Sequence, residues 1–262
     1  MTGDERQSRL RLRRVIPFRS LIPNAITLAA LCFGLTGVRL AIGGDFEKAL
    51  AAVVTAGVLD GIDGRVARLL KGQSRFGAEL DSLSDLTAHG VAPALIVYLW
   101  SLHMLPGIGW LIALAHAACC ALRLARFNAA FDAEDGPIKA AGFLTGVPAP
   151  VAAGLALSPM FLSLWLDEPV FRSPFIVGGV VLTVALLMIS SLPTYSWSKV
   201  RIRPEWRLFS LAFVAIVAGG LFSAPWMTLS LIGVAYAISI PFSIAAYAKV
   251  RQRAAAPEPA AS

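Results

Sequence analysis

Charge is scarce in this chain. Only 15% of its 262 residues are Asp, Glu, Lys or Arg, where a soluble domain carries about 25%. Hydrophobic residues make up 57%, and the mean hydropathy is +0.70. These values exclude a water-soluble globule and describe an integral membrane protein. Cysteine is nearly absent too. Cys32, Cys119 and Cys120 lie in apolar stretches, two of them adjacent, so neither a disulfide framework nor a zinc spacing is available, and all three read as small core residues. No cleaved signal peptide is expected, because the apolar run after the basic N-terminus is long enough to span a membrane. The net charge of +7 does not imply nucleic acid, since the basic residues collect at the ends of apolar segments, as membrane topology requires.

What the chain has in abundance is apolar runs. A span needs about 17–25 residues, and windows of that kind fall at 22–42, 46–64, 79–100, 107–127, 146–166, 174–193, 207–223 and 227–248. They predict an all-α membrane protein of eight helices. Pro23, Pro174 and Pro204 sit near predicted helix starts, where a missing N–H is harmless. With the basic N-terminus inside, an even number of spans puts every Lys and Arg except Arg39, Lys48 and Arg172 on the cytoplasmic side. Both termini are therefore expected in the cytoplasm. Residues 1–20 read as a basic juxtamembrane segment, either an interfacial helix on anionic lipid or a plain positive-inside anchor. Residues 251–262 read as a disordered tail. Trp197 and Trp206, beside cations before the seventh window, suit anchoring at the inner interface.

One stretch breaks the apolar pattern: "DGIDGRVARLLKGQSRFGAELDSLSD", residues 60–85. Followed along the second helix, Asp60 comes about 21 Å from Phe46, near the inner edge of a hydrocarbon core about 30 Å thick. Asp60, Asp63 and Gly64 share one helical face, and Gly77, Asp81 and Asp85 repeat at i+4 on the next helix. A turn around "KGQS" would point the four carboxylates at one another. Carboxylates so confined repel unless cations neutralise them, and hard divalent ions with oxygen ligands do so. A pair of ions suits displacement at phosphorus. Gly57, Gly61 and Gly64 leave room for a neighbouring helix or a flat ligand, and Arg68 offers a guanidinium to phosphate. The plainer alternative is a solvated loop held by ordinary ion pairs. Ionisable residues grouped in a membrane protein are functional by default, however.

The same residues resemble the CDP-alcohol phosphotransferase family, whose motif is D-x2-D-G-x2-A-R-x8-G-x3-D-x3-D. Here it is filled, without departure in spacing, by Asp60, Asp63, Gly64, Ala67, Arg68, Gly77, Asp81 and Asp85. "PNAIT" at 23–27 is similar to the opening of the family's first helix. The resemblance implies a six-helix catalytic domain over 21–193, with two additional helices over 194–250. It implies Asp60, Asp63 and Asp81 as ligands of Mg²⁺ or Mn²⁺, two ions per site. Asp85 would be the general base and a further metal contact. Gly64, Ala67, Arg68 and Gly77 would shape the nucleotide and diphosphate site. It also implies a homodimer in the cell (inner) membrane, with a lipid-facing opening at the cytoplasmic interface. Asn24 and Thr27 either reach the nucleotide or cap the first helix.

The acceptor rests on a second resemblance. "HGVAPAL", "ALRLARFNAAFD" (121–132) and "FLTGVPAPVAAG" (143–154) look like bacterial and archaeal phosphatidylserine synthases, implying CDP-diacylglycerol and L-serine as substrates. Arg123 and Arg126, i and i+3 on one helix, suit the serine carboxylate or a lipid phosphate, or else are positive-inside flanks. Asn128 positions a ligand or ends its helix, and the loop over 133–146 covers the acceptor or merely connects. His89, where the family more often has an aromatic, either tunes Asp85 one turn away or packs on a hydrogen bond to a neighbour. His116 reads as packed within its helix and His103 as capping an outer loop. Other acceptors, glycerol 3-phosphate or an inositol phosphate, and a cation-coupled transporter are the competing functions.

Overall fold

The computed structural model describes residues 18–129, 143–195 and 206–255. The juxtamembrane segment up to residue 17, the loop at 130–142, Trp197 and its neighbours, and residues 256–262 lie outside the described residues, while 251–255, expected in the disordered tail, continue the last helix. Helix α1 (Phe18–Ile42) is followed by α2 (Phe46–Leu69), α3 (Arg75–Asp85), a π-helical turn (Leu86–Val91) and α4 (Ala92–Trp100). Then come α5 (Ile108–Ala129), α6 (Ala149–Leu166), α7 (Pro174–Ile189), α8 (Arg207–Ser223) and α9 (Pro225–Ala255). Because α3, the π-turn and α4 continue one another, the eight predicted windows correspond to eight rods. Two three-residue strands, Phe143–Thr145 and Pro193–Tyr195, pair antiparallel with Leu144 opposite Thr194. They were not expected, since three residues carry no readable alternation. Four helical segments, Arg19–Ile42, Ile108–Ala129, Ala149–Leu166 and Pro225–Ala248, have the length and apolarity to cross a membrane unaided. This is a multi-pass membrane protein.

Local sequence explains the ends that matter for the site. Asp45 caps α2, its carboxylate accepting from the Lys48 N–H at 3.3 Å and from Lys48 Nζ at 2.6 Å. Ser74 caps α3, its Oγ accepting from the Gly77 N–H at 3.0 Å. Helix α1 begins four residues before its predicted window, so Pro23 lies inside it, and Asn24 and Thr27 are interior rather than capping residues. A proline has no N–H for the carbonyl four residues back, which here is that of Arg19. The turn from α2 to α3 packs against that freed carbonyl through Gly72, where any Cβ would collide with Arg19 O.

The core is apolar and shared. Leu50, Ile96, Leu157, Met160, Val177 and Val181 join α2, α4, α6 and α7 in one cluster. Cys120, Leu124, Val147, Ala152, Val184 and Met188 form another among α5, α6 and α7. Outward faces are equally apolar: Leu28, Phe33 and Leu35 on α1 and Phe209, Phe213 and Phe222 on α8 are exposed. Helix α8 contains no buried residue at all, as expected of a rod surrounded mostly by lipid. Cys32 is exposed as well, which corrects its assignment to the core, because apolar positions in a membrane helix face lipid as readily as protein. Helix α9 is tied to the rest by, among others, Trp226 Nε1 donating to Glu47 Oε1 (3.2 Å) and Ser243 Oγ donating to the Pro193 carbonyl (2.7 Å).

Candidate active site

Helix α2 supplies Asp60 and Asp63, α3 supplies Asp81 and Asp85, and the π-turn supplies His89. One carboxylate oxygen from each of Asp60, Asp63 and Asp81 lies within 4.8 Å of the others, and Asp60, Asp85 and His89 form a second such group. Asp60 belongs to both. Helical spacing foretold the convergence, and the short turn through Gly72 delivers it.

Helix α1 forms the back of the site. Thr27 is buried; its hydroxyl donates to Asp63 Oδ2 at 2.5 Å and lies 3.0 Å from the Pro23 carbonyl. Ser84, also buried, donates to the Thr27 carbonyl at 3.0 Å, which ties α3 to the same turn of α1. At Gly77 a Cβ would come within 3.0 Å of Asn24 Oδ1 and 3.2 Å of Ser74 Oγ, so a larger residue would push α3 away from α1. Asn24 is buried at this contact.

Among the described residues, the ion pairs of the four carboxylates are those of Asp60 and Asp85 with His89. Among the described residues, none of the four forms an ion pair with Lys or Arg, and Arg65, Arg68, Lys71 and Arg75 are exposed. An ordinary ion-paired loop is therefore not what these aspartates build. Three carboxylate oxygens gathered without a Lys or Arg counter-charge are the donor set of a hard divalent cation, so the residues fit a metal. The glycine face of α2 meets the π-turn at Gly57, where a Cβ would lie 3.7 Å from His89 Cε1, and opens beyond it. Nothing lies within 4 Å of a Cβ built on Gly61, and the nearest group to one on Gly64 is Arg68 Nη1 at 3.7 Å. Gly64, Ala67 and Arg68 thus border open space beside the carboxylates.

The residues considered for the acceptor fall into two kinds. Arg123 is half-buried, and its Nε has no hydrogen-bond partner among the described residues. Arg126 instead spends its guanidinium on the end of α7, donating to the Ile189 and Ser190 carbonyls at 3.1 and 3.4 Å. Asn128 donates from Nδ2 to Ser82 Oγ at 3.0 Å, linking α5 to α3 rather than ending its own helix.

Two features escaped the sequence reading. One is the π-turn itself, a local irregularity frequent at functional sites; its last bond runs from the Ala92 N–H to the Thr87 carbonyl. The other is the part played by His116, which is fully buried with Nε2 3.4 Å from the His89 carbonyl. Pro93, four residues after His89, has no N–H for that carbonyl, and His116 stands in for it. The proline spacing was the available signal. His103 Nδ1 lies 3.2 Å from the Tyr98 carbonyl in a 3₁₀ turn, in keeping with a loop cap.

Residues 20–189 match the CDP-alcohol phosphatidyltransferase family. The chain belongs to this family. A second description, CDP-alcohol phosphatidyltransferase 2, matches residues 205–241, covering α8 and most of α9, helices whose generic apolar sequence had suggested nothing. Among the relatives of this phosphatidyltransferase is a CDP-diacylglycerol–serine O-phosphatidyltransferase of Mycobacterium bovis, 37% identical over 86% of this chain and 78% of that protein. An enzyme of the same description from Helicobacter pylori is 33% identical, over 80% of this chain and 85% of its own length. An archaetidylserine synthase of Methanothermobacter thermautotrophicus is 30% identical over 65% and 68%.

Proposed function

We propose that this phosphatidyltransferase moves the phosphatidyl group of CDP-diacylglycerol to the hydroxyl of L-serine, giving phosphatidylserine and CMP. The observation that carries the reading is the convergence of Asp60, Asp63 and Asp81, from two helices, with no Lys or Arg among the described residues paired to them. The names of the relatives support serine as acceptor. Residues 21–193 form the catalytic domain in this reading, and 194–250 add two helices to it.

Asp60, Asp63 and Asp81, with Asp85 beside them, would hold Mg²⁺ or Mn²⁺. Two such ions, when bound, supply positive charge to the diphosphate and to the departing CMP. The chain's own groups do the rest. Asp85 accepts the proton of the serine hydroxyl as that oxygen bonds to the phosphorus carrying the lipid, and the bond from phosphorus to CMP breaks. Thr27 fixes the rotamer of Asp63 through its hydrogen bond. Gly64 and Ala67 border the open space left for the nucleotide, and Arg68 reaches phosphate oxygens from it. Gly77 and Asn24 keep α3 close to α1. Arg123, half-buried with a free Nε–H, suits the serine carboxylate, with Arg126 and Asn128 holding α5 in place around it. The positive-inside distribution supports cytoplasmic termini and a site at the cytoplasmic face of the cell membrane, where acyl chains remain in lipid while serine arrives from water. The family resemblance supports a homodimer.

The test is an acceptor panel. Purified protein in lipid, given CDP-diacylglycerol, Mg²⁺ or Mn²⁺ and labelled acceptors, should form labelled lipid from serine and lose that activity on chelation. Preference for glycerol 3-phosphate or an inositol phosphate would overturn serine. Ion flux without CMP release would overturn the transferase itself.

A further inference from the structure

His89 is only 2% exposed, yet among the described residues its Nε2 makes no hydrogen bond, and Asp85 Oδ1 beside it is equally without a partner. A buried polar atom left unpaired is destabilising by about 1–3 kcal/mol, so two facing each other require an explanation. They do not bond to one another. Nε2 lies 3.4 Å from Asp60 Oδ2 and 3.7 Å from Asp85 Oδ1, within ion-pair reach of both carboxylates but without a hydrogen bond to either. Two donor atoms each about 2.1 Å from a common ion stand about 3.0–3.4 Å apart in octahedral or tetrahedral geometry, close to the spacing observed. The backbone holds the ring in this position deliberately: the π-turn sets His89 one step out of α-helical register, and His116 secures its carbonyl.

We infer that His89 Nε2 is a metal ligand, completing with Asp60 and Asp85 a nitrogen-containing divalent-cation site that shares Asp60 with the all-carboxylate group. The inference rests on the metal-binding reading above and goes beyond it in chemistry. Imidazole is a softer donor than carboxylate, so this site shifts preference from Mg²⁺ toward Mn²⁺ and Co²⁺.

The experiment uses the full-length protein in lipid nanodiscs titrated with Mn²⁺ and read by pulsed electron paramagnetic resonance. Bound Mn²⁺ should show the ¹⁴N modulation of a directly coordinated imidazole, replaced by the ¹⁵N pattern when the histidines are ¹⁵N-labelled; neither measurement needs a variant to fold. In His89→Phe, which keeps a ring in the cavity, the nitrogen modulation should vanish. Mn²⁺ stoichiometry should fall from two to one, and the lost site should bind at least about tenfold more weakly. Bound Mn²⁺ with no nitrogen coupling in the wild type, or coupling that persists in His89→Phe, overturns the inference and leaves the carboxylate site standing. No Mn²⁺ binding at all overturns both.

Discussion

Asp85 and Thr27 illustrate how differently two polar side chains serve one site. In the proposed reaction Asp85 receives a proton, and Asp85→Asn removes that capacity while preserving shape. Its turnover should drop by about 10²–10⁴-fold, with thermal unfolding unchanged; a variant keeping more than a tenth of wild-type turnover would exclude Asp85 as the base. Thr27 keeps its proton and donates a hydrogen bond to Asp63. Thr27→Val should weaken Mn²⁺ binding by about 10–100-fold, as loss of a partner behind a metal ligand does, and lower stability by about 1 kcal/mol. A Mn²⁺ titration and a melting curve read the two effects separately. The aspartates were legible in the sequence because i+3 and i+4 spacings survive any error in helix ends. Thr27 was misread for the converse reason: its role depended on where α1 begins, and apolar length locates a helix far better than it locates a terminus.

At the scale of elements, the site depends on α3 lying tight against α1. Gly77→Ala puts a methyl 3.0 Å from Asn24 Oδ1 and 3.2 Å from Ser74 Oγ, disturbing both the helix cap and the packing. Such overpacking is destabilising by about 1–3 kcal/mol. A lowered melting temperature together with weaker metal binding is expected, because Asp81 and Asp85 ride on the displaced helix; an unchanged melting temperature would show that α3 is free to shift. The rods were readable from apolar windows, since a bilayer dictates their length. The π-turn and the strand pair were not. The first lies where a proline's missing donor meets a histidine from another helix, and the second joins two triplets distant in sequence, neither of which produces a periodic signal.

For the whole molecule, exposure has to be read with the solvent in mind. Cys32 is exposed within a spanning helix, and exposed there means bathed in lipid. In sealed vesicles it should resist a membrane-impermeant maleimide added to either side and react with a lipid-soluble one. Reaction with the impermeant reagent would place α1 beside water and revise the topology. Helices α8 and α9 show the limit of reading such chains by eye: lipid-facing rods need only be apolar, so their sequence says little about which family they serve, whereas the charged stretch says a great deal. That stretch also has a consequence in time. All four carboxylates and His89 lie on consecutive elements, α2 to the π-turn, and Thr27 is on the helix made just before them. A chain emerging from the ribosome therefore carries the entire acidic centre before α5, with Arg123, has been synthesised. The four carboxylates are thus synthesised early, and α5 later adds His116 behind His89.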